Sequence, residues 1–141
     1  MSKNKTTDCK GIMNILTITT WDSAGEQFNG CKIHKALKSL GHKSNMAVMI
    51  KQSNDENIHK LGNAITRLYD KTFAALLESI LGLRSILPIS GSTIFFKEYY
   101  RDADLIHLQI IHGNSFFSLL NIPLMNKKHK MVWTIHDPWM M

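Results

Sequence analysis

The chain has 141 residues, of which 44% are apolar and 20% charged, a balance that excludes a disordered or collagen-like polymer and suits one domain with its own core. Its net charge of +6 admits a nucleic acid, an anionic membrane surface or a phosphate-bearing ligand. The lysines are scattered over Lys32, Lys35, Lys38, Lys127, Lys128 and Lys130 with no aromatic-interleaved basic stripe, which argues against nucleic acid.

Residues 1–11 form a polar leader, and residues 12–141 are expected to fold as one α/β domain, a Rossmann-like parallel sheet with flanking helices. No apolar segment of a secretory signal follows the leader directly. The run 12–20 is rich in β-branched residues and fits a buried central strand. Ser23 and Glu26 then have capping-box spacing, so a helix is expected to start there. Ile33, Ala36, Leu37 and Leu40 give it an apolar face, and Gly41 stops it. Residues 44–50 form a second buried strand, completing a βαβ unit with a parallel sheet.

Residues 51–63 are polar and read as loop. Across 64–83, Ile65, Leu68, Tyr69, Phe73, Leu76, Leu77, Ile80 and Leu81 fall on one side of a long helix, and that side is expected to pack on the sheet. The pattern breaks over 88–93, a short helix is expected over 95–100, and 104–108 is a third strand. A helix over 115–120 and a fourth strand over 130–135 complete the pattern. Cys9 and Cys31 lack CxxC or zinc spacing and read as free thiols in a reducing, cytoplasmic setting.

In an open parallel sheet, ligands bind beyond the carboxyl ends of the strands. Three segments meet that rule. The turn 23–26 brings the small residues Ala24 and Gly25 where backbone amides can approach a phosphate. Residues 107–114 place His107, His112 and Gly113 at a strand exit. Residues 134–139 carry His136 and Asp137 beyond the last strand, with Pro138 fixing the loop. Taken singly, each histidine is more often structural than catalytic. A metal site built from His107, His112, His136 and Asp137 is a competing reading.

Together these segments resemble a known family. Val132-Trp133-Thr134-Ile135-His136-Asp137-Pro138-Trp139 is similar to the "VWTLHDMW" segment of bacterial family-4 glycosyltransferases of the GT-B fold. Asp104-Leu105-Ile106-His107-Leu108, Ile111-His112-Gly113 and Phe116-Phe117-Ser118-Leu119 resemble that group's "DIIHLH", "IHG" and "FSL" blocks. Ala24-Gly25, Ile33-His34-Lys35-Ala36-Leu37 and Leu40-Gly41 resemble its first βα unit. Ala24 replaces a turn glycine, and Gln109 stands where a second histidine is usual.

The resemblance implies a retaining, metal-free transferase of hexosyltransferase type that uses a nucleotide sugar as co-substrate and no cofactor. It implies that Gly25 and Ala24 approach the donor diphosphate and that His136 sits between donor sugar and acceptor. It places His107, His112, Gly113 and Asp137 on the acceptor side. The family's "TGGC" continuation and donor domain are not in this sequence, so the expectation is an acceptor-side N-terminal domain, inactive alone, that needs its donor domain in cis or in trans. The partners implied are a glycan or lipid-linked acceptor and a peripheral contact with the inner face of the plasma membrane. The alternative is a non-catalytic acceptor-side or membrane-associated subunit of a split enzyme.

Overall fold

The computed structural model describes residues 11–22, 30–82, 85–111 and 116–135. Five parallel strands form one open sheet in the order β3-β2-β1-β4-β5, the arrangement of a Rossmann-like α/β fold. β1 (Asn14–Trp21) is central, with β2 (Lys43–Ile50) and β3 (Ile58–Lys60) on one side and β4 (Leu105–Leu108) and β5 (Lys130–Trp133) on the other. Residues 15–20 are buried without a break, as a strand covered on both faces requires. Its amino end is clamped to β4, because Asp104 Oδ2 accepts the Asn14 amide at 2.7 Å and the Asn14 side chain donates to the Asp102 carbonyl.

The two faces of the sheet differ in chemistry. One carries Leu16, Ile18, Ala47, Met49, Ile106 and Leu108, packed with Ile94, Tyr100, Phe116, Phe117 and Met125 into the main core. On the other, register aligns Ile58, Met46, Thr17, His107 and Val132 across all five strands. Its apolar cluster is the smaller group Met46, Val48 and Ile58. Polar residues share this face, and the buried hydroxyls of Thr17 and Thr19 have no hydrogen-bond partner among the described residues.

Helix α1 (Cys31–Ser39) returns from the carboxyl edge of the sheet toward the amino edge and packs on β2. Its inner side is Cys31 and His34, whereas Ile33, Ala36 and Leu40 are exposed, which corrects the expected apolar face. Gly41 ends it at φ 86°, the left-handed conformation that favours glycine. The expected start at Ser23 lies outside the described residues. The polar stretch 51–63 is not all loop, since it contributes the three-residue edge strand β3.

The long helix forms as expected, but inside out. It runs as α2 (Ala64–Tyr69), a π-helical stretch (Asp70–Ala74) and α3 (Ala75–Leu81). Asn63 and Thr66 close a reciprocal capping box at its start, worth about 1 kcal/mol. The inner positions are Asp70, Ala74 and Glu78. Four-residue steps drift around an α-helix of 3.6 residues per turn, and the wider π turn absorbs that drift. Ile65, Leu68, Phe73, Leu76, Ile80 and Leu81 are each more than half exposed, so the expected packing of this side on the sheet is overturned.

The physical reason lies in the segment after the helix. Asp70 accepts the amides of Ile89 and Ser90, and Glu78 Oε1 accepts those of Ile86 and Leu87. The two carboxylates thus satisfy four backbone donors of a segment that makes no sheet ladder, and an unpaired buried donor is costly. A 3₁₀ helix (Ser90–Phe96) and the single turn α4 (Glu98–Arg101) follow. Residues 116–120 are not helical. The helix expected over 115–120 is instead α5 (Asn121–Asn126).

Candidate functional site at the carboxyl edge

The strand order reverses between β1 and β4, so the crevice beyond their carboxyl ends is where this architecture offers a ligand site. Thr20 at the end of β1 donates to the Ile110 carbonyl at 2.7 Å, and the Gln109 amide donates to the Ile18 carbonyl at 3.0 Å. These bonds tie the exits of β1 and β4 together. On the far side of β4, the Thr134 amide donates to the Leu108 carbonyl at 2.9 Å and carries the β5 segment one step beyond the strand.

His107 is buried on β4, and its Nε2 lies 2.8 Å from Thr134 Oγ1. Two segments far apart in sequence are therefore joined side chain to side chain at the sheet edge. Thr134 immediately follows β5, so the His107 ring anchors the chain where that strand ends.

The amino end of α1 approaches the same crevice. Gly30, at φ 75°, precedes the helix with no side-chain cap, and the first turn carries no acidic residue. A Cβ on Gly30 would meet the Gln109 amide at 2.7 to 2.8 Å, so glycine is required both by backbone conformation and by space. Gln109 is 2% exposed and its Oε1 has no hydrogen-bond partner among the described residues. A buried amide oxygen in that state is suited to accept a hydroxyl or N–H from a ligand.

Asp22, just past β1, is fully buried and accepts the Gln52 and Ser53 amides, each at 2.8 Å. Burial works against its charged form, yet hydrogen bonding from Ser53 and Gln52 prevails and holds its carboxyl below the usual range. Asp22 thereby fixes the loop between β2 and β3 beside the crevice. Asp22, Thr20 and Thr134 were not foreseen as site residues. Only their position at strand exits could have singled them out.

A second polar cluster lies away from the crevice. His34 Nδ1 is 2.8 Å from Ser44 Oγ, and its Nε2 is 3.4 Å from Asp55 Oδ2, which also pairs with Lys38. The order Ser-His-Asp is that of a nucleophilic triad, but His34 and Ser44 are 1% and 3% exposed, which denies a substrate access to the hydroxyl. The cluster is a clamp between α1, β2 and the following loop. Burial pushes the His34 pKa down, with Asp55 partly offsetting it. The Asn57 amide, ahead of Lys38 and His34, holds Asp55 well below the usual carboxylate range against its partial burial.

Of the residues singled out from sequence, His107 stands at the crevice. Ala24, Gly25, His112, Gly113, His136 and Asp137 lie outside the described residues. Among the described residues, no three His, Cys, Asp or Glu side chains cluster as metal ligands, and no helix is long and apolar enough to cross a membrane. Cys31 is buried and free.

No protein-family model matches the chain, and no curated protein matches it closely enough to count as a relative.

Proposed function

We propose that this chain is the acceptor-side domain of a retaining sugar transferase of hexosyltransferase type, acting with a donor-binding domain in cis or in trans. It would pass a sugar from a nucleotide sugar to a growing surface polysaccharide or lipid-linked acceptor at the inner face of the plasma membrane. The observation that carries the reading is the junction of His107 with Thr134. The strand portions of the two segments that most resemble family-4 glycosyltransferases pair in parallel as β4 and β5, and His107 on β4 meets Thr134 just past β5.

In this reading His136 stands between donor sugar and acceptor, and its imidazole donates a hydrogen bond where charge develops in the transition state. Gly25 and Ala24 leave room for the donor diphosphate near the amino end of α1. His112, Gly113 and Asp137 line the acceptor side, and His107 orients the segment leading to His136. The nucleotide sugar is a co-substrate, and the reaction uses neither a metal nor a cofactor. A second reading, a non-catalytic acceptor-side subunit of a split enzyme, is favoured by the outward apolar side of the long helix.

The test is transfer of labelled sugar from a panel of nucleotide sugars to extracted lipid acceptors, with the donor-binding domain supplied. The expected result is transfer that survives chelation and falls on the order of 100-fold in His136→Ala, with melting unchanged. Wild-type turnover in that variant would remove His136 from the site, and loss of turnover on chelation would overturn the metal-free chemistry. Transfer by the chain without any donor domain would overturn the division of labour.

A further inference from the structure

The side of the long helix that faces solvent has an unusual composition. Between Ala64 and Leu81 the only carboxylates are Asp70 and Glu78, and both are turned inward to hold backbone amides of residues 86–90. What remains outside is the stripe Ile65, Leu68, Phe73, Leu76 and Ile80, with the exposed cation Lys71 beside it. At the amino end of the helix, Lys60, Lys97 and Phe96 border a shallow concavity that Asn63 also lines, and Phe96 is 85% exposed.

We propose that this helix side is a docking surface for an anionic lipid bilayer, lying in the interface plane with Leu68, Phe73 and Leu76 inserted. Apolar side chains flanked by cations, with no outward carboxylate along the helix itself, are what such a surface selects, although the exposed Glu98 follows Lys97 at its amino end. Charge decides against a second copy of the chain. A two-fold contact through the stripe would bring two Lys71 ammonium groups together with no outward carboxylate on either helix to pair them. The proposal deepens the membrane-side placement given above, but its test reads lipid binding alone, so failure of docking and failure of sugar transfer are separate results.

The experiment is co-sedimentation of the 141-residue chain with vesicles of phosphatidylcholine mixed with phosphatidylglycerol, against phosphatidylcholine alone, at low and high salt. The expected result is binding to the mixed vesicles at least about tenfold tighter than to neutral ones and weaker in high salt. Leu68→Ser with Leu76→Ser should abolish it, and Lys71→Glu should weaken it on the order of tenfold. Circular dichroism should show both variants folded, because all three positions are exposed. Equal binding to both vesicles, binding to neither, or binding that survives the stripe variants would overturn the proposal. Lipid-free dimerisation abolished by Leu68→Ser with Leu76→Ser would assign the stripe to a second copy instead.

Discussion

Replacing Asp70 by alanine should unfold this domain more readily than replacing any one of the large apolar residues on the same helix. Asp70 is 5% exposed, and its two oxygens accept the Ile89 amide at 2.7 Å and the Ser90 amide at 3.1 Å. Ser90 is 1% exposed, so its amide finds no water once the carboxylate is gone and costs about 1–3 kcal/mol. Ile89 is partly exposed, and its amide recovers some hydration. The sum is about 2–4 kcal/mol out of the roughly 5–15 typical of a domain. Leu76→Ser, on the outward side, should stay within about 0.5 kcal/mol. Urea unfolding followed by far-ultraviolet circular dichroism measures both. A conventional amphipathic helix reverses the order, so a Leu76→Ser cost larger than that of Asp70→Ala would refute the inside-out arrangement.

Acid should destabilise the fold in two steps. Burial lowers the pKa values of His34 and His59 from 6.5, with Lys51 and Lys97 adding to the effect at His59. The unfolded chain therefore binds the extra protons first, and the stability present above pH 6.5 drains away as pH falls toward the folded-state values. Asp22 and Asp55 are lowered from 3.8, so a second loss begins as pH falls through that value. Urea midpoints across a pH series check this, and a midpoint that stays flat from neutral pH to pH 5 would contradict the first step. Gly91→Ala should also destabilise, because its Cβ would meet the Phe117 ring at 2.7 Å and the Phe116 carbonyl at 2.9 Å. The carbonyl is backbone and accepts the Gly91 amide, so it cannot step aside, and about 1–3 kcal/mol is expected. A melting temperature equal to wild type would show that the contact relaxes.

The fold class was legible because β1, β2 and β4 are dominated by β-branched or apolar residues, and such runs belong to strands covered on both faces. β3 was not, since three residues in a polar stretch become a strand only by pairing with β2. The period of the long helix could be read, but its inner side could not. Asp70 and Glu78 face inward because a segment 8 to 20 residues later needs acceptors, and that demand leaves no trace in local periodicity. His34 takes the inner position on α1 for a similar reason, as Ser44 and Asp55 await it there. At the candidate site, His107 could be picked out as a polar residue near a strand exit. Its partner Thr134, the Thr20 tie and the unpaired Gln109 oxygen are products of strand pairing, and pairing is not written in either strand alone.

The proposed function requires the crevice beyond β1, β4 and β5 to bind the sugar acceptor. Amide and imidazole chemical shifts of the labelled chain, followed during titration with acceptor-type oligosaccharides and lipid-linked glycans, test it most directly. Saturable shifts are expected at Thr20, His107, Gln109 and Thr134, weakened by Gln109→Ala. Shifts confined to the opposite, amino edge of the sheet, in the concavity of Lys38, Ser44, Asn45 and Asn57, would contradict it.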